Sequence, residues 1–191
     1  FNDYFDVKHG TDAINYEYFN AGLNSTMLEG AQLSGGSRAI ELGLITFKGT
    51  KRLAYTMLFL TIFCTAMLLI NSYIVTQSFE NLIMASLIGF IGWFLGYFYT
   101  AKPIRLSARR GLGELAIFLT FGPLLTLGAY YAISSSTIEL FSQDFYNAIY
   151  IGIPFGFLTT NILFINQFPD TTSDAKTGKN HLVVTFGKKN S

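Results

Sequence analysis

The sequence predicts an all-α protein, a polytopic transmembrane helical bundle with four complete spans in 191 residues. Three observations support this fold class: long stretches without charge, a low overall charge content, and basic residues confined to separate blocks. Hydrophobic residues make up 50% of the chain and charged residues only 13%, whereas soluble proteins carry about 25% charged residues. We therefore expect the chain to be embedded in a lipid bilayer.

Four stretches of the chain contain no Asp, Glu, Lys or Arg. They have 27, 21, 24 and 25 residues and cover 53–79, 81–101, 115–138 and 145–169. A hydrocarbon core of about 30 Å takes roughly 20 helical residues to cross. Lipid offers no hydrogen-bond partner to the backbone, so each run must be helical. Four such runs in so short a chain argue against buried helices of a soluble protein. We expect full spans near 53–75, 81–99, 112–133 and 145–167.

The basic residues indicate how these spans are oriented. All thirteen Lys and Arg lie in three blocks, Lys8 to Arg52, Lys102 to Arg110, and Lys176 to Lys189. The remaining loops carry only the acidic residues Glu80, Glu139 and Asp144. Under the positive-inside rule, the three basic blocks face the cytoplasm. This rule accounts for the basic residues, so the net charge of +1 gives no reason to expect a nucleic-acid partner.

The chain is expected to form one domain over 1–191, with a cytoplasmic loop over 1–52, four helices over 53–169 and a second loop over 170–191. It opens at Phe1 on what resembles the end of a membrane helix, so we expect an internal piece of a larger membrane protein. Gly92-xxx-Gly96 and Gly152-xxx-Gly156 suit close helix contacts. Pro123 and Pro154 predict kinks in the third and fourth spans.

Two acidic motifs with the same spacing flank the four runs. Asn2 and Asp6 are four residues apart, as are Asn166 and Asp170, and further carboxylates follow at Asp12 and Asp174. Residues four apart lie on one helix face, and an even number of spans returns the chain to the side it left. The simplest alternative for either motif alone is a solvated helix cap. Two matching motifs on one side instead predict a two-site divalent-metal centre.

The residue types in these motifs favour Mg²⁺ as the metal. Carboxylate and amide oxygens are hard ligands, and Mg²⁺ commonly binds a few carboxylates together with phosphate oxygens of a substrate. Neither motif contains the Cys or His pairs that zinc prefers. His9 and His181 are interpreted as polar loop residues.

Basic residues beside the motifs predict a diphosphate-binding site. Lys176 and Lys179 follow Asp174 closely, and Arg38 follows the turn Ser34-Gly35-Gly36-Ser37, whose backbone N–H groups suit a phosphate. The positive-inside rule explains each of these cations equally well. Their assignment therefore depends on the acidic motifs beside them.

Several motifs together resemble the UbiA superfamily of intramembrane prenyltransferases over the whole chain. They are Asn2-Asp3-Tyr4-Phe5-Asp6 with Gly10 and Asp12, Ser34-Gly35-Gly36-Ser37-Arg38, Tyr99-Thr100 with Pro103, Arg110-Gly111-Leu112-Gly113-Glu114, and Asn166-Gln167-Phe168-Pro169-Asp170-xxx-Asp174 with Gly178-Lys179. The first motif has Gly10 where most of the superfamily has its last Asp. Its carboxylate stands at Asp12, as expected in the branch that prenylates 1,4-dihydroxy-2-naphthoate.

The resemblance implies a nine-helix membrane fold, of which this chain holds about helices 3 to 6, with the motifs in the loops after the second and sixth. It implies a Mg²⁺-dependent transfer of a polyprenyl group from its diphosphate to an aromatic acceptor, in the menaquinone pathway of a prokaryotic cytoplasmic membrane, with the active site facing the cytoplasm. The implied metal ligands are Asn2, Asp6, Asp12, Asn166, Asp170 and Asp174. Asp6, Asp170 and Asp174 would act in catalysis. Tyr99 would stabilise the allylic cation, or else serve as an interfacial anchor.

Three alternatives remain open at the level of the sequence. Another enzyme of the same superfamily would use hydroxybenzoate, homogentisate or a lipid as acceptor. A transporter would place ionisable residues inside the spans, and a soluble terpenoid enzyme would lack the apolar runs.

Glu114 lies at a membrane edge, where an ion pair, for example with Arg110, is the simplest expectation. Trp93 lies mid-span and is interpreted as a packing residue rather than part of a prenyl tunnel.

Overall fold

A computed structural model describes residues 1–9, 39–40 and 43–191 of the chain. Within these residues the regular structure is helical and no strand occurs, so the all-α prediction is confirmed. The helices are α1 (Asn2–His9), α2 (Phe47–Thr76), α3 (Phe79–Thr100), α4 (Leu112–Phe121), α5 (Pro123–Ile133), α6 (Gln143–Lys176) and α7 (Leu182–Phe186), with a 3-10 turn at Leu106–Ala108.

Four stretches of helix are long and apolar enough to cross a membrane: Phe47–Thr76, Phe79–Thr100, Leu112–Ile133 and Gln143–Thr172. Each includes one of the predicted spans. The first begins six residues before the predicted start at 53, because the Thr46 hydroxyl accepts a hydrogen bond from the Gly49 amide at 3.0 Å and caps the helix there. A charge-free run shows only which residues can lie in the hydrocarbon core of a bilayer. A helix can extend past that core into the polar headgroup region, so it can begin before the charge-free run does.

Large apolar side chains cover the outside of this bundle. On α2, Phe59, Ile62 and Ile74 are 69%, 59% and 61% exposed. Continuous apolar surface on this scale is rare on soluble monomers, but it is the ordinary surface of a protein that contacts lipid. The composition of the helices and the character of their surface thus agree on an integral membrane protein.

We name the two ends of the bundle by their loops. The basic end contains residues 101–111 and 177–191, and the acidic end contains residues 77–78 and 134–142. The buried core lies between α3, α5 and α6 on the acidic side, and consists of Ala85, Ile88, Leu127, Tyr131, Ile138, Phe145 and Ala148. Toward the basic end, the buried residues include several polar ones: Thr100, Ser107, Glu114, Gln167, Asp174 and His181.

The third span is interrupted at Gly122, and Pro123 is the first residue of the helix that follows. The predicted disturbance at Pro123 is therefore a break between α4 and α5. A Cβ placed on Gly122 would lie 2.8 Å from the Gly152 carbonyl oxygen and 2.8 Å from the Gly156 Cα. The pair in α6 thus supports a close helix contact, as predicted.

The other glycine pair does not form such a contact. A Cβ added to Gly92 or Gly96 of α3 would meet no atom within 4 Å in the part of the chain that the structure describes. The close helix contact expected at Gly92-xxx-Gly96 is therefore not observed among the described residues. Small residues permit close approach, but a second helix must lie opposite them.

Asn81 stabilises the acidic end of the bundle through hydrogen bonds. Its side chain is fully buried, donates to the Ser136 carbonyl oxygen at 2.9 Å and accepts from the Ile138 amide at 3.0 Å. Nearby, the Ser72 hydroxyl donates to the Tyr131 carbonyl oxygen at 3.3 Å. These bonds connect α2, α3, α5 and the 134–142 loop where the sequence shows only isolated polar residues.

Helix α6 continues past residue 167, where the fourth span was predicted to end. It includes Pro154 and Pro169 and ends only at Lys176, so the segment expected to be a loop from residue 170 onward begins as helix. The short α7 follows after residues 177–181. The acidic residues of the second motif consequently lie along a helix end, where their spacing fixes which of them share a face.

Candidate functional site

Both acidic motifs lie at the basic end of the bundle. Helix α1, with the first motif, packs against α2 and α3. The ring of Phe1, the residue before α1, lies 5.3 Å from Tyr55 and 5.5 Å from Tyr97, and the Phe5 ring of α1 lies 5.7 Å from Tyr97. Edge-to-face contacts of this kind fix the orientation of aromatic residues. They hold α1 beside the start of α2 and the end of α3.

The first motif is only partly described. Asn2 and Asp6 lie on α1, four residues and hence about one turn apart, on one face of the helix. The structure gives the backbone of these two residues but does not describe their side chains. Asp12 and Arg38 lie outside the described residues. Their assignments as ligands stay predictions.

The second motif lies along the last turns of α6. Asn166 is exposed, Asp170 is half-buried and Asp174 is buried. Because each step of four residues rotates the side chain by about 40° around the helix, the three oxygen-bearing groups move progressively from the open face toward the protein interior. The three residues therefore lie on neighbouring parts of one helix surface, but they differ in how accessible they are to a ligand.

Asp174 is held by two residues that follow the helix. Its Oδ1 lies 3.7 Å from the Lys179 ammonium nitrogen, and its Oδ2 lies 3.2 Å from His181 Nε2. His181 lies in the loop after α6, as expected, but it is only 3% exposed and contacts Asp174, which the sequence did not predict. A buried carboxylate needs such partners, because an unpaired charge in the interior is costly.

The basic residues at this end differ in what they contact. Lys176, in the last turn of α6, is exposed, whereas Lys179 is turned toward Asp174. Arg105 donates from Nη1 to the Thr177 carbonyl oxygen at 3.2 Å. The loop after α3 is thereby joined to the segment after α6. Of the two predicted diphosphate ligands described here, Lys176 is the more accessible to a ligand.

Glu114 is a buried member of this region that the sequence interpretation left out of the site. One oxygen, Oε1, accepts from the Gln167 side-chain amide at 2.9 Å and from the Leu182 backbone amide at 3.0 Å. Its other oxygen and Gln167 Oε1 have no donor in the described part of the chain. The expected pair with Arg110 is replaced by amide hydrogen bonds. Burying an acid at a membrane edge is costly, so the position of Glu114 in the sequence already indicated that its carboxylate has partners.

Tyr99 lies in the last turn of α3 and is half-buried. Two turns earlier, Trp93 lines a cavity of about 520 Å³ between α1, α2 and α3, together with Asp3 and Tyr97. Trp93 therefore borders open space on one side, which its interpretation as a packing residue did not anticipate. Tyr99 is not among the residues that line this cavity.

The donor atoms at the basic end are suited to a hard cation. Asn166, Asp170 and Asp174 offer oxygen atoms only, the ligand type that Mg²⁺ prefers. Within residues 1–9, 39–40 and 43–191, no three His, Cys, Asp or Glu residues come together as a metal-binding group. The helix α6 therefore offers one half of a possible centre, and α1 carries the other predicted half at the same end.

Comparison with known proteins gives one family. A model of the UbiA prenyltransferase family matches residues 1–191. The chain is 28% identical over 189 residues to a 1,4-dihydroxy-2-naphthoate octaprenyltransferase of Bacillus subtilis, covering 99% of this chain and 50% of that protein. It is 26% identical over 190 residues to the enzyme of the same name from Haemophilus influenzae, covering 97% and 51%.

A shorter alignment has higher identity. The chain is 39% identical over 97 residues to a 2-carboxy-1,4-naphthoquinone phytyltransferase of Synechocystis, covering 50% of this chain and 29% of that protein. The chain thus spans at most about half the length of these curated relatives. No solved structure shows a significant match to it.

Proposed function

The chain belongs to the UbiA prenyltransferase family, and on that premise we propose that the full-length protein transfers a polyprenyl group from its diphosphate to an aromatic acceptor. One observation carries the proposal beyond the family assignment. Helices α1 and α6, which bear the matching Asn-xxx-Asp motifs, lie at the same end of an apolar bundle, beside the exposed cations Lys102, Arg109, Arg110 and Lys176. This arrangement offers oxygen ligands and positive charge to a diphosphate while the apolar chain remains near lipid.

The acceptor is proposed to be 1,4-dihydroxy-2-naphthoate, which assigns the protein to menaquinone biosynthesis. The two relatives aligned over nearly the whole chain are named for transfer to this compound. The Synechocystis relative is named for a related carboxylated ring but a different prenyl donor. These names support the class of acceptor more strongly than the length of the prenyl chain.

Mg²⁺ is the proposed cofactor, held by Asn2, Asp6, Asp12, Asn166, Asp170 and Asp174. When bound, it would supply positive charge that stabilises the leaving diphosphate. Lys176 adds charge at the end of α6, and Arg38 is proposed to do so from the first loop. Lys179 is proposed to act on the diphosphate as well, although its described contact is with Asp174. Preorganised charge of this kind is usually the largest catalytic term.

The reaction forms one carbon–carbon bond. The allylic carbon–oxygen bond breaks, and its electron pair leaves with the diphosphate. An electron-rich carbon of the acceptor ring then bonds to the allylic carbon, and with 1,4-dihydroxy-2-naphthoate that ring carbon loses its carboxyl group as carbon dioxide. Aromatic faces attract cations, and Tyr99 is the proposed residue that stabilises the allylic cation.

The protein is proposed to lie in the cytoplasmic membrane of a prokaryote, with its basic end toward the cytoplasm. The segregation of basic residues supports this orientation. A transporter function receives no support from the comparisons, which give a prenyltransferase family over the whole chain. Other acceptors of the superfamily, hydroxybenzoate and homogentisate among them, remain the alternatives that an experiment must separate.

The metal site is tested by Asp170→Asn in the full-length protein. The substitution preserves size but removes a negative charge and weakens a hard-cation ligand. Losing a group that stabilises transition-state charge costs roughly 10²- to 10³-fold in rate, so turnover should fall by that order and require more Mg²⁺. Glu139→Gln, an exposed acid at the opposite end, is the matched control and should change little. Near-normal turnover of folded Asp170→Asn would refute the site.

The acceptor is tested separately with the wild-type protein. One polyprenyl diphosphate is supplied with 1,4-dihydroxy-2-naphthoate, 4-hydroxybenzoate or homogentisate in turn, and the prenylated product is measured. We expect the naphthoate to give the highest kcat/KM and to release carbon dioxide. Preference for a single-ring acceptor would reassign the protein within its family and leave the metal site unaffected.

A further inference from the structure

The segment that follows the second motif in the chain contains a buried histidine whose ring nitrogens have identified partners. His181 is 3% exposed, and its Nε2 lies 3.2 Å from Asp174 Oδ2. It is the N-cap residue of α7, seven residues along the chain from Asp174. Neither the family assignment nor the spacing of the acidic motifs gives this residue a role.

A backbone contact indicates which nitrogen of the ring carries the proton. The Val184 amide donates to His181 Nδ1 at 3.4 Å, so Nδ1 is the acceptor of that bond. A neutral imidazole has one donor and one acceptor nitrogen, and the partner of one decides the state of the other. Nε2 is consequently the donor, and it faces Asp174 Oδ2. The ring therefore restrains the carboxylate by a directed hydrogen bond.

The position of His181 is itself held from two sides. The next residue, Leu182, donates its backbone amide to Glu114 Oε1 at 3.0 Å, and Glu114 also accepts from Gln167 of α6 at 2.9 Å. On the other side, the Asn180 amide donates to the Ala108 carbonyl oxygen at 3.2 Å. Buried hydrogen-bonded networks of this kind restrict a segment to one arrangement.

We propose that His181 is a positioning residue for Asp174, which it holds by donating from Nε2 so that the carboxylate is oriented for a hard divalent cation. The proposal rests on the function proposed above, because it gives Asp174 a ligand role. His181 contacts neither the diphosphate nor the acceptor in this scheme. Partners in the outer shell of a metal site fix the orientation of its ligands, and their loss costs about 10- to 100-fold in metal affinity or activity.

The experiment measures binding of Mn²⁺, as a paramagnetic substitute for Mg²⁺, to the full-length protein with inorganic diphosphate, by electron paramagnetic resonance. His181→Phe retains a ring but removes the donor, so the Kd for Mn²⁺ should rise about 10- to 100-fold. His181→Gln can place an amide N–H near the position of Nε2 and should recover most of the affinity. His181→Asn places its amide near the position of Nδ1 and should not.

Asn81→Ala is the matched structural control. It also removes a buried side chain with two hydrogen bonds between elements, but at the acidic end. It should lower the midpoint of thermal unfolding without changing the Kd for Mn²⁺. If His181→Phe does not fold, the comparison of His181→Gln with His181→Asn decides, since the proposal requires the Gln variant to bind the metal more tightly.

The outcomes separate this proposal from the proposed function. If wild type binds Mn²⁺ and Asp170→Asn weakens the binding while the His181 variants bind as wild type does, the positioning role is wrong and the metal site stands. If wild type does not bind Mn²⁺ with diphosphate, the metal site itself is wrong. A loss of affinity in His181→Gln equal to that in His181→Phe would also overturn the donor role.

Discussion

At Gly152, α6 lies so close to Gly122, where the third span is interrupted, that there is no room for a methyl group. A Cβ there would contact the Thr126 hydroxyl and would lie 2.6 Å from the carbonyl carbon of Gly122. One of these atoms belongs to the backbone, so it cannot move aside as a flexible side chain does. The same approach lets Thr126 donate to the Ala148 carbonyl oxygen at 2.7 Å.

Gly152→Ala should therefore destabilise the protein. The added methyl group forces α5 and α6 apart, a change that typically costs about 1–3 kcal/mol, and it weakens the hydrogen bond from Thr126. Gly92→Ala is the control, because its Cβ meets nothing within 4 Å among the described residues. It should be neutral or slightly stabilising. The stability of both variants is measured by unfolding in detergent, monitored by circular dichroism. An equal loss of stability in Gly152→Ala and Gly92→Ala would contradict this prediction.

At the level of single residues, the sequence predicted relations that are local. Asn166, Asp170 and Asp174 lie on successive turns of α6 because residues four apart share a helix face, while their role as metal ligands stays a prediction. The partners of Glu114 and His181 were not predicted, because they depend on how segments pack in three dimensions. Gln167 is 53 residues from Glu114 in the chain, and no periodicity indicates that they meet.

At the level of helices, α1 is the element whose position matters most for the site, since it bears Asn2 and Asp6. It is short, with eight residues, and helices of this length are marginal on their own. Tertiary contacts must hold it, and Tyr97 of α3 contributes ring contacts to both Phe1 and Phe5. Tyr97 thus links the first motif to the membrane span.

Tyr97→Ala should loosen α1 without unfolding the bundle. Two aromatic contacts are lost, each worth about 0.5–1.5 kcal/mol beyond the buried area, so the amides of residues 2–9 should exchange with solvent roughly 5- to 100-fold faster. Hydrogen-exchange mass spectrometry measures this directly. Tyr73→Ala, which removes a ring 4.8 Å from Phe79 at the other end of α2, is the control. Equal exchange of α1 in both variants would show that Tyr97 does not hold it.

The four spans were predictable as elements, and the third has the predicted bounds, whereas the first begins and the fourth ends several residues outside the prediction. Charge-free runs located each span because a charge in hydrocarbon is costly. They could not show that α6 continues to Lys176, since a helix in water tolerates charged residues. The contrast between Gly92-xxx-Gly96 and Gly152-xxx-Gly156 has a similar cause: the same pattern supports packing only where another helix lies opposite.

For the whole molecule, the main consequence of four spans is that both motifs lie at one end. Arg105 of the loop after α3 contacts Thr177 beyond α6, and α1 packs beside the end of α3. The two acidic segments are far apart in the chain, yet the bundle returns them to the same side. The charge pattern predicted this topology without knowledge of any contact.

Single cysteines introduced into the full-length protein should confirm the orientation. In a Cys64→Ala background, positions 8, 110 and 176 should react with a membrane-impermeant thiol reagent only from the cytoplasmic side. Positions 137 and 139 should react only from the other side. All five residues are exposed in the structure. Reaction of positions 8 and 176 from opposite sides would separate the motifs and refute a shared site.

Pro169 lies between Asn166 and Asp170 in the last turns of α6. Proline has no amide hydrogen, so the Ile165 carbonyl oxygen lacks its usual helical donor at this turn. Beyond it, Asp174 is tethered through His181 and Lys179 rather than through α6 alone. We therefore expect a bend of α6 at Pro169 to leave Asp174 in place, because His181 and Lys179 hold its carboxylate from outside the helix.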